Sequence, residues 1–203
     1  MGFNKIHFIG PKDKNQWSPI WGKCFSFWQN SQYSIELWDD ERIDIFIKED
    51  DLNFFYIIDQ LPRIYKYDFV RYLILKNMGG AYFDLDVEII TDFLPLLSQK
   101  KVYLLGGGRL DCYVSNAIMI SPPFHPLWGD IIKRIKYDIS TNLFDLLSQP
   151  LEAVLFTTGP DALSKYIALG KYNINLLSYH HFGDKESGLS FSIHHLTNNW
   201  HKF

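Results

Sequence analysis

The sequence predicts an α/β domain with an open, mainly parallel sheet and helices on both faces. Three observations predict it. Short apolar runs of strand length alternate with helical patterns along the chain. The first elements read strand, helix, strand, and the helix between the strands is the crossover that a parallel pair needs. Finally, 203 residues with 47% hydrophobic and 17% aromatic content can fill one sizeable core. A single domain over residues 1–203 follows, because halving the chain would leave two marginal cores.

Lys5 to Ile9 is the opening strand. Ser18-Pro19 places a cap and a first-turn proline before a helix that runs to about Gln29, and Ser34 to Trp38 is a second strand. Asp50-Asp51 opens a helical stretch toward Ile58. Pro62 suits the first turn of the next helix and Gly79-Gly80 its end. Between them Phe69, Tyr72, Leu73 and Met78 supply a buried stripe, while Asp68, Arg71 and Leu75 share one face at i, i+3 and i+7. The run Tyr82-Phe83-Asp84-Leu85-Asp86-Val87 reads as a strand, followed by a turn of helix near Phe93–Leu97 and a strand from Val102 to Leu105. Further strands are expected at Ala117–Ile120 and Leu189–His195, and further helices at Pro126–Tyr137 and Asp161–Leu169. Gly106-Gly107-Gly108 lacks the GxGxxG spacing of a phosphate loop and leads into Arg109-Leu110-Asp111, so it reads as a plain loop.

On a strand, Asp84 and Asp86 project to one side and Leu85 to the other. Two acids on one face make a hard-oxygen site for a divalent ion. An ion that takes few carboxylates and completes its shell with water and phosphate suits a nucleotide diphosphate. An isolated Asp-x-Asp is also what a solvated strand end presents. The preceding helix gives the pair its weight, because the Gly-Gly reversal sends the chain straight into the acidic strand and sets Asp68 and Arg71 beside it. Alone, Asp68 and Arg71 would be a surface ion pair worth about 0.2–0.5 kcal/mol. Beside the acids they make a carboxylate, a guanidinium and a metal site near neighbours.

The pattern Asp68-x-x-Arg71, then Leu75-x-x-x-Gly79-Gly80-x-Tyr82-x-Asp84-x-Asp86, resembles the DXD-motif sugar-nucleotide glycosyltransferases. These group around the yeast initiating mannosyltransferase, bacterial capsular polysaccharide transferases and clostridial glucosylating toxins, as in glycosyltransferase family 32. Other pieces follow in the family's order: Lys5 to Ile9, Tyr33 to Asp40, Ser115-Asn116-Ala117, His125 to Trp128, Thr158-Gly159-Pro160, and His194-His195 with Trp200. The resemblance implies a GT-A, Rossmann-like fold. It also implies transfer of a hexose from a nucleotide-diphosphate sugar to a glycan, lipid-linked or protein acceptor, with retention of configuration and the help of Mn2+ or Mg2+.

Residue by residue, the resemblance makes Asp86 a direct metal ligand and Asp84 a ribose or metal contact. Asp68 and Arg71 would grip sugar hydroxyls. Backbone groups around Ile6, His7 and Phe8, with Tyr82, would hold the base. Asp111 and Asn116 would reach the sugar, although Asn116 reads equally well as an ordinary residue where a strand begins. Adjacent histidines on a strand point to opposite faces, so His194 is expected as the third protein ligand, with His195 as its substitute. Trp200 would either close over the donor or pack in the core.

A net charge of −3, with acids and bases interspersed, argues against a nucleic-acid partner. No basic stretch followed by a signal-length apolar run opens the chain and no transmembrane segment is visible, so a soluble, cytoplasmic protein is expected. Cys24 and Cys112 have no metal-type spacing and read as buried thiols. Two other classes use similar residues. A nucleotidyl or phosphoryl transferase would also need a glycine–lysine phosphate loop or more clustered acids, and a non-catalytic sugar-nucleotide-binding module would need only the pocket.

Overall fold

The computed structural model describes residues 4–107, 114–168, 171–184 and 190–197. The chain begins with β1 (Lys5–Ile9), α1 (Pro19–Gln29), β2 (Ser34–Trp38), α2 (Asp40–Asp50) and α3 (Leu52–Ile58). It continues through α4 (Arg63–Met78), β3 (Gly80–Phe83), β4 (Val87–Ile89), β5 (Val102–Gly106) and β6 (Val114–Ser121). The remaining elements are α5 (Pro126–Ser148), α6 (Ala153–Thr157), α7 (Pro160–Ala168), β7 (Ile174–Leu177), α8 (Tyr179–Phe182) and β8 (Ser192–His194).

Six strands form one mixed, mainly parallel sheet in the order β2-β1-β3-β6-β5-β7, and β4 with β8 forms a separate antiparallel ribbon. Strand β1 runs parallel to both β2 and β3, and β5 runs parallel to β7. Strand β6 is antiparallel to both of its neighbours. It follows β5 without an intervening helix, and a connection without a crossover brings a strand back in reverse. Alternation of side chains splits the core in two. Ile6, Phe8, Ala81 and Phe83 face α1 and the β4–β8 ribbon. Ile9, Tyr82 and Met119 face α4 and α5.

Several boundaries differ from the sequence reading. Helix α2 lies between the strand ending at Trp38 and the helix opening at Asp50, where the sequence reading assigns no element. Asp39 accepts the backbone N–H of Arg42 at 3.0 Å, so the Asp39-Asp40 pair is a helix start. Helix α5 extends to Ser148, well beyond Tyr137, because Ile139, Leu143 and Leu146 keep facing the core past a kink at Asn142. Helix α4 carries no stripe: every residue from Ile64 to Leu75 is buried, as expected of a helix enclosed on all sides, and Met78 at its end is exposed. Strand β3 stops at Phe83, and Asp84 to Asp86 form a turn closed by Val87 N–H on Asp84 O at 3.0 Å. The last strand is confined to Ser192–His194. Cys24 is buried, and Cys112 lies outside the described residues.

The joint between α4 and β3 admits only glycine. Gly79 and Gly80 have φ of +61° and +96°, and a Cβ would stand 2.4 Å from Pro123 N at the first and 2.6 Å from Lys5 O at the second. His7 buttresses this joint from β1. Its Nε2 lies 3.0 Å from Gly79 O, and Trp38 Nε1 donates to its Nδ1 at 3.3 Å. That pair of bonds requires a neutral ring carrying its proton on Nε2.

Burial pushes the His7 pKa down from 6.5 to about 4. The unfolded chain therefore binds a proton that the folded chain refuses. The contribution is intact above pH 6.5 and is lost as pH falls toward 4, amounting to roughly 3 kcal/mol. Urea denaturation of the protein and of His7→Gln across this window should give a shallower fall for the variant. Parallel pH profiles would show that His7 is not the group responsible.

Candidate active site

The carboxyl ends of β1 and β3 and the start of β6 lie along one edge of the sheet, because β6 runs in reverse. A cavity of about 540 Å³ opens along that edge. Ile9, Gly10 and Pro11, with Trp21, line it beyond β1; Asp84, Leu85 and Asp86 line it beyond β3; Ser115, Asn116 and Ala117 line it from β6. This is where open α/β sheets hold ligands.

The floor is a buried polar network built around Arg71. Its Nη2 reaches Asp68 Oδ1 at 2.9 Å, and its Nη1 reaches Asp84 Oδ1 at 3.3 Å and donates to Asn116 O at 3.1 Å. Its guanidinium stacks over the Tyr82 ring at 4.8 Å. Asp68 also accepts from Asn116 Nδ2 at 3.0 Å and from Thr158 Oγ1 at 3.4 Å. Burial pushes the Asp68 carboxyl up to about 6, with Arg71 pulling it down and Asp84 pushing it up. Burial also works against the charge of Arg71, but Tyr82, Asp68 and Asp84 outweigh it and hold the guanidinium protonated. The i, i+3 pair is thus a buried one, not a surface salt bridge.

Asp84 and Asp86 converge by a route that strand alternation does not describe. The turn brings both carboxylates toward His194, and one ligand atom from each of Asp84, Asp86 and His194 lies within 4.8 Å of the others. The turn is anchored by Asp84 N–H on Ala117 O at 2.9 Å, and the Tyr82 hydroxyl donates to Asp84 Oδ1 at 2.7 Å. His194 arrives on β8, whose register with β4 sets it opposite Val87. Its Nε2 lies 3.4 Å from Asp86 Oδ1, while Thr197 donates its N–H and Oγ1 to Asp86 Oδ2 at 2.9 and 2.8 Å. Burial raises the Asp86 pKa, but the bonds from His194 and Thr197 prevail and hold it at about 2. Burial likewise opposes charge on His194, and the Asp86 carboxylate overcomes it, raising the imidazole. Two carboxylates and an imidazole are a donor set that could hold a divalent ion such as manganese, which accepts nitrogen alongside oxygen more readily than magnesium does.

Not every expected residue lies here. His195 points away and its Nε2 meets Glu88 Oε2 at 2.8 Å, as opposite faces of a strand require. Ile6, His7 and Phe8 lie inside the sheet, where β1 is flanked by strands on both sides; the cavity begins at Ile9. Tyr82 does line the cavity, and its hydroxyl is engaged by Asp84. Asp111 and Trp200 lie outside the described residues. Thr197 carried no sequence signal. Thr158 lies in the Thr158-Gly159-Pro160 motif, which gives it no role, and the Gly10-Pro11 pair just past the first strand is the sequence signal for the cavity wall there.

Residues 15–103 match the family described as the glycosyltransferase sugar-binding region containing a DXD motif. That matched stretch, under half of the chain, is similar to the DXD glycosyltransferase family. Curated relatives include mannosyl phosphorylinositol ceramide synthase CSH1 of Saccharomyces cerevisiae, 35% identical over 127 residues, which are 60% of this chain and 31% of that protein. Another is the uncharacterized glycosyltransferase L373 of Acanthamoeba polyphaga mimivirus, 34% identical over 112 residues, 52% of this chain and 43% of that one. The chain therefore spans less than half the length of these relatives. Among solved structures, PaToxG Glycosyltransferase aligns with a TM-score of 0.58 at 17% identity, covering 83% of this chain and 69% of that one, which is a likeness of fold. Within the matched stretch the Asp-x-Asp pair is Asp84 and Asp86. Among the described residues no helix is long and apolar enough to cross a membrane.

Arg71→Met would leave Asp68 buried without its counter-charge, and breaking such a pair costs about 3–5 kcal/mol. Urea denaturation should show a loss of that size. Adding Asp68→Asn to Arg71→Met should restore part of it. A single variant as stable as the parent would mean the network does not hold the floor together.

Proposed function

We propose that this chain is the catalytic region of a glycosyltransferase that moves a hexose from a nucleotide-diphosphate sugar to an acceptor hydroxyl, with a divalent cation and with retention of configuration. The observation that carries the proposal is the convergence of Asp84, Asp86 and His194 beside the Asp68–Arg71 pair in one cavity. Asp86, Asp84 and His194 would hold the ion. When bound, it neutralises charge on the departing diphosphate.

The residues then divide the work by position. The wall at Ile9–Pro11 and Trp21 offers an apolar and backbone surface for the nucleoside, next to the metal-binding turn. Arg71 places fixed positive charge beneath the diphosphate and, with Asp68 and Asn116, presents donors and acceptors to the sugar. These groups are already held by one another, so they need little reorganisation as charge develops. One fungal relative, inositol phosphoceramide mannosyltransferase 1 of Schizosaccharomyces pombe, is named for mannose and inositol phosphoceramide. For this chain the reading stops at a hexose and a hydroxyl.

A nucleotidyl transferase is a poorer fit, since the sequence offers no glycine–lysine phosphate loop. A binding module would share every contact and differ only in turnover. Incubation with a panel of sugar nucleotides and manganese separates the two: donor hydrolysis supports the transferase, and tight binding without turnover supports the module.

Donor binding should depend on a divalent ion. Calorimetry should show affinity falling at least tenfold with chelator or in Asp86→Ala, while the fold is retained because the Asp86 side chain, unlike Leu85 beside it, belongs to neither apolar core. Equal affinity in all conditions would overturn the metal assignment.

Retention rests on a further point. Inversion needs a base within hydrogen-bond reach of the attacking hydroxyl, whereas same-face attack can pass its proton to the departing phosphate. Proton NMR of the first product from an α-linked donor should show an α-glycoside. A β product would overturn the retaining mechanism.

A further inference from the structure

The cavity continues past the proposed donor site toward β6, where Phe156 and Asp161 line it and the reading above assigns them nothing. Strand β3 lies between β1 on one side and β6 on the other. If the nucleoside lies along Ile9–Pro11 and the diphosphate at Asp84 and Asp86, the β6 side is where the transferred sugar and its acceptor meet.

That wall is firmly mounted. Tyr72 donates its hydroxyl to Thr158 O at 2.8 Å, and Thr158 in turn reaches Asp68. Val114 N–H donates to Ser164 Oγ at 3.1 Å, pinning α7 to the start of β6. Gly159 makes the corner between α6 and α7 so tight that a Cβ would stand 2.9 Å from Leu155 Cα. The corner therefore presents Phe156 from α6 and Asp161 from the first turn of α7 at fixed positions on the same wall.

Phe156 is 71% exposed while lining the cavity. Single exposed aromatics are ordinary on a surface. One that lines a cavity together with a carboxylate has a specific complement: an aromatic face covers the C–H face of a sugar ring, and a carboxylate accepts from its hydroxyls. An alkyl tail would use the ring and leave Asp161 idle.

We infer that Phe156 and Asp161 form the acceptor subsite and that it takes a hexoside ring, stacked on Phe156 with a hydroxyl on the Asp161 carboxylate. This rests on the glycosyl-transfer reading, and two separate measurements keep them apart. Donor affinity by calorimetry tests that reading. Saturation-transfer NMR with methyl hexosides and octyl hexosides tests the subsite without requiring turnover.

Methyl hexosides should bind the parent protein. Phe156→Ala and Asp161→Asn should each weaken that binding about tenfold, Phe156→Tyr should retain it, and donor affinity should stay within twofold throughout. Hexoside binding without donor binding would refute the transferase reading and leave the sugar subsite standing. The subsite is overturned if methyl hexosides fail to bind, or if the two variants bind them as the parent does. It is also overturned if the variants lose donor affinity in equal measure, which would move both residues to the donor. Binding of octyl hexosides alone would identify a site for an apolar tail.

Discussion

The site hangs on one buried cation. Arg71 stands at the meeting point of α4, the turn after β3 and the start of β6, and it contacts a carboxylate or carbonyl from each of them. A guanidinium removed from water must be fully compensated, and its planar fork can satisfy several acceptors at once. Asp68, Asp84 and the carbonyl of Asn116 do so here. Each of those groups is in turn fixed by Tyr82, Thr158 or the amide of Asn116, so the floor of the cavity is one mutually dependent set. The cost of burying these charges is a stability burden that the two flanking apolar cores offset.

Above this floor, the metal-binding groups come from a different part of the architecture. Asp84 and Asp86 leave the main sheet in a turn, and His194 returns on a short ribbon that joins the site late in the chain. The separation has a chemical logic. A rigid floor can recognise a sugar, while Asp86 and His194, carried outside the main sheet, join Asp84 to complete the metal-binding set beside it. Thr197 already occupies one oxygen of Asp86, which leaves the other directed toward His194.

How much of this was legible depended on the range of each interaction. Asp68, Arg71, Gly79, Gly80, Asp84 and Asp86 are close in sequence, and their spacing alone brought them together. The strands at Lys5–Ile9 and Ser34–Trp38 carried their own signals and stand where expected. Contacts between distant segments were not legible: no local pattern links Thr197 to Asp86 or Thr158 to Asp68. Helix α2 was hidden because charged residues dominate it and only Ile43 and Ile47 are buried. The acidic run reads as a strand because its neighbours favour one. The ladder ends at Phe83, so Asp84 and Asp86 meet through turn geometry and not through pleating.

The glycine joint after α4 turns the interval between Arg71 and Gly79 into a ruler. The joint is wedged between Lys5 and Pro123 and cannot swivel to absorb an error. One residue added within that interval would rotate Arg71 by about 100° about the helix axis and carry it away from Asp84. The helix would still form and still be enclosed on all sides. Substitutions along it are therefore graded in effect, while a change in its length is all or nothing, and the spacing of these residues is itself part of the site.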